Sequence, residues 1–164
     1  MKALNLLRLM LDVVIVAIVV LSGAIAHSSS DPALSEGATV YVPVYSHIYV
    51  GFKGKSFELA ISLSIRNTDP AVPISILSVS YYDSSGKLVR NYVSKPVDVA
   101  PLASTDFFVS ESDTAGGFGA AFVVKWRSRR KVNRPIIEGV MAGTRGGQGI
   151  SFTSRGQVIE DRHQ

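Results

Sequence analysis

Apolar residues fall on every second position across residues 55–66, in the run K-S-F-E-L-A-I-S-L-S-I-R. Phe57, Leu59, Ile61, Leu63 and Ile65 share one parity; Ser56, Glu58, Ala60, Ser62, Ser64 and Arg66 share the other. Successive side chains of a strand point to opposite faces, so the run predicts a strand with one face in a core and one in water. A helix would scatter the five apolar residues around its axis. Half-buried strands belong to antiparallel sheets.

The same rhythm, broken by turn residues, recurs along the chain. Residues 38–50 predict a strand, and Pro43 makes it an edge strand or a bulged one, because proline donates nothing to a ladder. Asn67-Thr68-Asp69-Pro70 stops the 55–66 strand. Within 73–82 the apolar phase changes: Ile74 and Ile76 share one parity, Leu77, Val79 and Tyr81 the other. Such a slip predicts a bulge. Residues 83–87 form a hairpin loop leading into 88–93. Further strands are expected at 104–110, 118–126, 136–142 and 150–154, with a last short one at Val158 and Ile159. A basic loop spans 128–135 and a glycine loop 143–149. The resulting fold class is all-β: an immunoglobulin-like antiparallel β-sandwich of about eight strands, with a small barrel as the alternative.

The first 26 residues read differently. Lys2 and Arg8 precede an unbroken apolar run, and Ala24-Ile25-Ala26 has the small-x-small form of a signal-peptidase site. This is the plan of a secretory signal peptide, with cleavage expected after Ala26. The alternative is an uncleaved anchor, against which Asp12 stands as a costly carboxylate in a bilayer. Either reading places the rest of the chain outside the cytoplasm: periplasmic or secreted, or held at the inner membrane facing outward. Residues 27–37 read as a flexible leader and 160–164 as a frayed tail, leaving 38–159 as the folded domain.

Composition narrows the chemistry. The chain has 164 residues, 46% of them apolar and 18% charged, and no cysteine. That suits one domain and removes disulfides, thiolate metal sites and cysteine nucleophiles. The net charge of +4 is too mild to indicate nucleic acid by itself. Of three histidines, only His47 lies in the predicted fold. One histidine makes no metal site, and no G-x-S-x-G elbow supports a nucleophilic serine, so a hydrolase using His47 is the weaker alternative. Glu111 and Asp113 lack the ligand pattern of a calcium loop. The glycine loop 143–149 lacks the Lys-Ser/Thr pair of a phosphate loop and leads into a strand. No catalytic, cofactor or metal residues are therefore assigned.

One stretch stands out. Lys125, Arg127, Arg129, Arg130, Lys131 and Arg134 place six cations within residues 125–134, with no acid among them. Guanidinium groups fork onto phosphate and carboxylate. The stretch is the candidate binding site for an envelope protein or an anionic lipid or glycan surface; the plainer reading is a solvated loop. Membrane contact through the N-terminal segment is expected only if it stays uncleaved.

Several segments resemble an uncharacterised exported bacterial family, the domain of unknown function numbered three-one-two-four. They are V-Y-V-P-V-Y-S-H-I-Y from Val40, S-I-R-N-T-D from Ser64, S-V-S-Y-Y-D from Ser78, A-P-L-A-S-T-D-F-F-V from Ala100, G-G-F-G-A-A-F-V-V-K-W from Gly116, P-I-I-E-G-V-M from Pro135 and G-Q-G-I-S-F-T-S from Gly147. The resemblance implies a secreted or periplasmic β-rich domain and brings no activity or site residues with it.

Overall fold

The computed structural model describes residues 34–161. The N-terminal segment read as a signal helix lies outside these residues, as do His27 and His163. Twelve strands occur among the described residues, and no helix. They are β1 (Ser35–Val44), β2 (His47–Val50), β3 (Lys55–Glu58), β4 (Ala60–Arg66), β5 (Ile74–Tyr82), β6 (Leu88–Asn91), β7 (Val97–Val99), β8 (Ser104–Val109), β9 (Ala120–Val132), β10 (Ile136–Arg145), β11 (Gln148–Arg155) and β12 (Gln157–Asp161).

All pairings are antiparallel. One sheet runs β12-β1-β9-β5-β6, with β7 also on β5; a second runs β11-β10-β4-β8; β2 and β3 form a separate hairpin. The expected count of about eight strands is too low, partly because the 55–66 run is two strands. Residues 55–58 pair with β2, and residues 60–66 pair with β10 and β8. The switch occurs at Leu59, whose N–H donates to Ser46 O at 2.9 Å instead of to a ladder. The alternation survives it: Phe57 is 5% exposed, and Leu59, Ile61, Leu63 and Ile65 are fully buried. Each such side chain contributes about 1.5–3 kcal/mol by leaving water.

Buried residues of both large sheets form one hydrophobic cluster. Val40, Val42 and Val44 of β1, Ile76, Val79 and Tyr81 of β5, and Phe122, Val124 and Trp126 of β9 meet the β4 residues and Met141 of β10. The close approach is visible at Gly139 of β10, where an added Cβ would stand 2.6 Å from Val44 Cγ1.

The expected irregularities are present. Leu77 is skipped in the β5–β9 register between Ile76 and Ser78. β1 lies between β12 and β9, but β12 pairs only as far as Tyr41, so Pro43 stands where β1 has become an edge. The glycine loop closes a hairpin in which Arg145 pairs with Gln148 and both central residues, Gly146 and Gly147, have positive φ (58° and 81°). That is the backbone a two-residue primed turn requires. Both ends of the domain extend further than expected. β1 begins at Ser35, which is 3% exposed, and β12 reaches Asp161.

Candidate functional site

The basic stretch is not the loop expected from its sequence. β9 continues to Val132, and only residues 133–135 connect it to β10. Its first half obeys the strand rhythm: Lys125 and Arg127 are exposed, while Val124 and Trp126 are buried. Beyond Arg127 the ladder is distorted. Gly37 of β1 pairs with Arg127 and Ser35 with Val132, so four residues of β9 (128–131) stand against the single Glu36. This bulge pushes Arg129, Arg130 and Lys131 out, and all three are exposed. Ser35 holds it: the Ser35 hydroxyl accepts the Gly37 N–H at 3.2 Å and lies 2.9 Å from Gly37 O and 3.0 Å from Asp161 Oδ1.

The bulge overhangs a groove of about 840 Å³ lined by Val72, Pro73, Ser75, Pro96, Asp98 and Arg127 to Arg130. Three neighbouring strands build its floor, because Arg127 pairs with Ser75 and Ser75 with Asp98. Ser75 donates to Asp98 Oδ1 at 2.6 Å, and Ser128 donates to Pro73 O at 3.3 Å. Arg127 and Arg129 have no ion-pair partner among the described residues. Arg130 is near enough to Asp69 to help hold that carboxyl below its ordinary value.

The six cations are therefore divided. Arg127, Arg129 and Arg130 line the groove. Lys125 lies in a row with Thr39 and Ser78, and Thr39 donates to Glu160 Oε2 at 2.9 Å. Arg134 is turned away and pairs with Asp161. Lys131 is exposed on the bulge but does not line the groove. Sequence reasoning missed Ser75, Asp98 and the Val72-Pro73 wall. Their signal was weak, since a serine alternating with isoleucines is what any half-buried strand shows.

The other candidates resolve simply. His47 lies opposite Glu58 in the hairpin, and its ring meets Tyr49 edge-on at 5.2 Å and Phe118 at 6.3 Å. No hydrogen bond joins it to a serine or carboxylate among the described residues. Asp113 pairs with Arg90 at 2.9 Å and accepts the Ala115 N–H at 3.2 Å. Glu138 points outward with Ile136 and Val140, 3.8 Å from Arg66. Among the described residues no three His, Asp or Glu side chains gather as a metal site would need.

A model of a family of proteins of unknown function, DUF3124, matches residues 37–159. The chain belongs to the DUF3124 family. No curated protein matches the sequence. The crystal structure of Thermotoga maritima 1070 is similar at 15% identity, covering 76% of this chain and 97% of that one, with a TM-score of 0.45. The groove and its arginines lie within the span of this DUF3124 match.

Proposed function

We propose that this DUF3124 protein is an exported, non-enzymatic domain of immunoglobulin-like sandwich shape that binds phosphate or carboxylate groups of an envelope surface through Arg127, Arg129 and Arg130. The reading of residues 1–26 as an export signal supplies the compartment. The observation that carries the binding is the groove itself: three exposed arginines line one concave surface, and two lack any carboxylate partner among the described residues. Like charges held together repel, and a fold gains nothing from leaving them unpaired. A bound oxyanion removes that repulsion and accepts the forked hydrogen bonds that guanidinium offers. Asp98, already engaged by Ser75, leaves an excess of positive charge and adds polar groups suited to a hydroxyl beside the anion. Titrating an inorganic oxyanion into the protein and into an R127S/R129S/R130S variant tests the proposal; binding that survives the three substitutions refutes it.

A further inference from the structure

The opposite end of the domain carries a separate feature. β1 meets Val132 at one end and Ala120 at the other. The β2–β3 hairpin, entered just after Val44, is therefore far from the arginine bulge. Its tip is Gly51-Phe52-Lys53-Gly54, closed by a Gly54 N–H to Gly51 O bond of 3.1 Å. Phe52 is 105% exposed. Nothing among the described residues covers its ring.

Other exposed aromatic residues lie on the same hairpin and beside it. Tyr49, 61% exposed, stacks on Phe118, 47% exposed, with centroids 5.8 Å apart and planes at 25°. His47 meets Tyr49 edge-on, and Tyr45 meets Phe118 at 5.2 Å and Phe152 at 5.9 Å. Exposed aromatics packed into an ordered platform mark an interaction surface, whereas single ones do not. Charge selects the occupant. Lys53 and Lys55 both follow Phe52 at the tip, and both are exposed. The hairpin's one carboxylate, Glu58, sits at the base and accepts the Ser56 hydroxyl. A bare phenylalanine followed by two exposed lysines, on a hairpin that also carries the exposed Tyr49, matches the gradient of a bilayer: acyl boundary, headgroup level, anionic surface.

We infer that the β2–β3 hairpin inserts Phe52 into the interface of an anionic lipid bilayer, with Lys53 and Lys55 on the headgroups and the Tyr49–Phe118 platform against them. The inference does not depend on the arginine groove, which lies at the other end and is tested with a lipid-free probe.

The test uses the full chain carrying F52W in vesicles of neutral or phosphatidylglycerol-containing lipid. The native Trp126 is 2% exposed and gives a constant background. In anionic vesicles the introduced indole should shift to shorter wavelength and be quenched by lipids brominated along the acyl chain. An I159W chain, altered at an exposed position of β12, should show neither change in the same vesicles. Adding K53Q and K55Q should lower the ratio of inserted to withdrawn tips about 30-fold. F52W emission and quenching indistinguishable from those of I159W would overturn the inference. Equal quenching in neutral and anionic vesicles would overturn the part assigned to the lysines.

Discussion

Asp69 fastens the end of the basic strand: its Oδ2 accepts the backbone N–H of Asn133 at 3.2 Å. Its Oδ1 accepts the N–H groups of Ala71 and Val72 at 3.0 and 2.9 Å. One carboxylate thus fixes the turn that supplies the Val72-Pro73 wall and the point where β9 leaves its bulge. The groove has its shape because these two segments are tied to one side chain.

The tie has a pH signature. The Ala71 N–H, opposed by burial and helped by Asn133, Val72 and Arg130, holds the Asp69 carboxyl below its ordinary value. Asp83 is lowered in the same direction, first by the Ser85 hydroxyl. A carboxyl lowered in the folded state binds fewer protons there than in the unfolded chain. Its contribution is therefore present above the ordinary carboxylate pKa and lost as pH falls through the lower, folded value. Stability should decline as pH falls below the ordinary carboxylate value. Asp69→Asn should lower Tm at neutral pH, because its NH2 group faces N–H donors where an acceptor is needed, and should flatten the acid decline. Thermal unfolding of both proteins across this range checks it; identical profiles contradict it.

Tyr81 gives the opposite slope. It is fully buried, and its hydroxyl has no hydrogen-bond partner among the described residues. Burial first, and then the charge of Asp113, raise its pKa to about 12. The unfolded chain releases this proton near the ordinary value of about 10, so stability should fall above that pH by about 1 kcal/mol per unit until the folded group also ionises. Tyr81→Phe should remove the alkaline decline. At neutral pH it should be neutral or stabilising by up to about 1 kcal/mol, since an unsatisfied buried hydroxyl is costly to keep. Urea unfolding at neutral and alkaline pH measures both effects; a strongly destabilised variant would show that the hydroxyl is in fact bonded.

Gly139 tests how closely the two sheets approach. Its missing Cβ would lie 2.6 Å from Val44 Cγ1 and 3.3 Å from Ser154 Oγ. Val44 is itself fully buried and has nowhere to retreat. Gly139→Ala should cost about 1–3 kcal/mol through overpacking. Chemical denaturation measures this, and an unchanged midpoint would mean that β10 and β1 stand further apart.

The alternation of Phe57 to Ile65 made the β architecture legible because burial of one face is a period-two constraint. The bulge at Leu77 was legible for the same reason: the parity of Ile74 and Ile76 cannot pass to Val79 and Tyr81 otherwise. The sheet switch at Leu59 was not, because it preserves parity and changes only the hydrogen-bonding partner. The basic stretch misled because Arg129, Arg130 and Lys131 are consecutive, and consecutive charges read as a loop. They stand in a bulge of a strand whose aliphatic stems tolerate the extended backbone. The closing strand was expected at Val158 and Ile159, but its reach to Asp161 and its pairing with β1 were hidden for another reason. Thr39 and Glu160 are neighbours across a ladder but far apart in the chain, and nothing local in Glu160-Asp161 announces a partner.

The groove is the centre of this account, and a two-dimensional NMR titration of the chain lacking residues 1–26 with inorganic pyrophosphate tests it most directly. Saturable shifts should concentrate on Ser75, Asp98 and residues 127–130, including the arginine side-chain N–H signals. They should weaken with added salt and vanish in R127S/R129S/R130S, whose stability should stay within about 0.5 kcal/mol because all three residues are exposed. Absence of saturable shifts at these residues, or an undiminished response in the triple variant, would contradict the assignment of the arginine groove as an anion site.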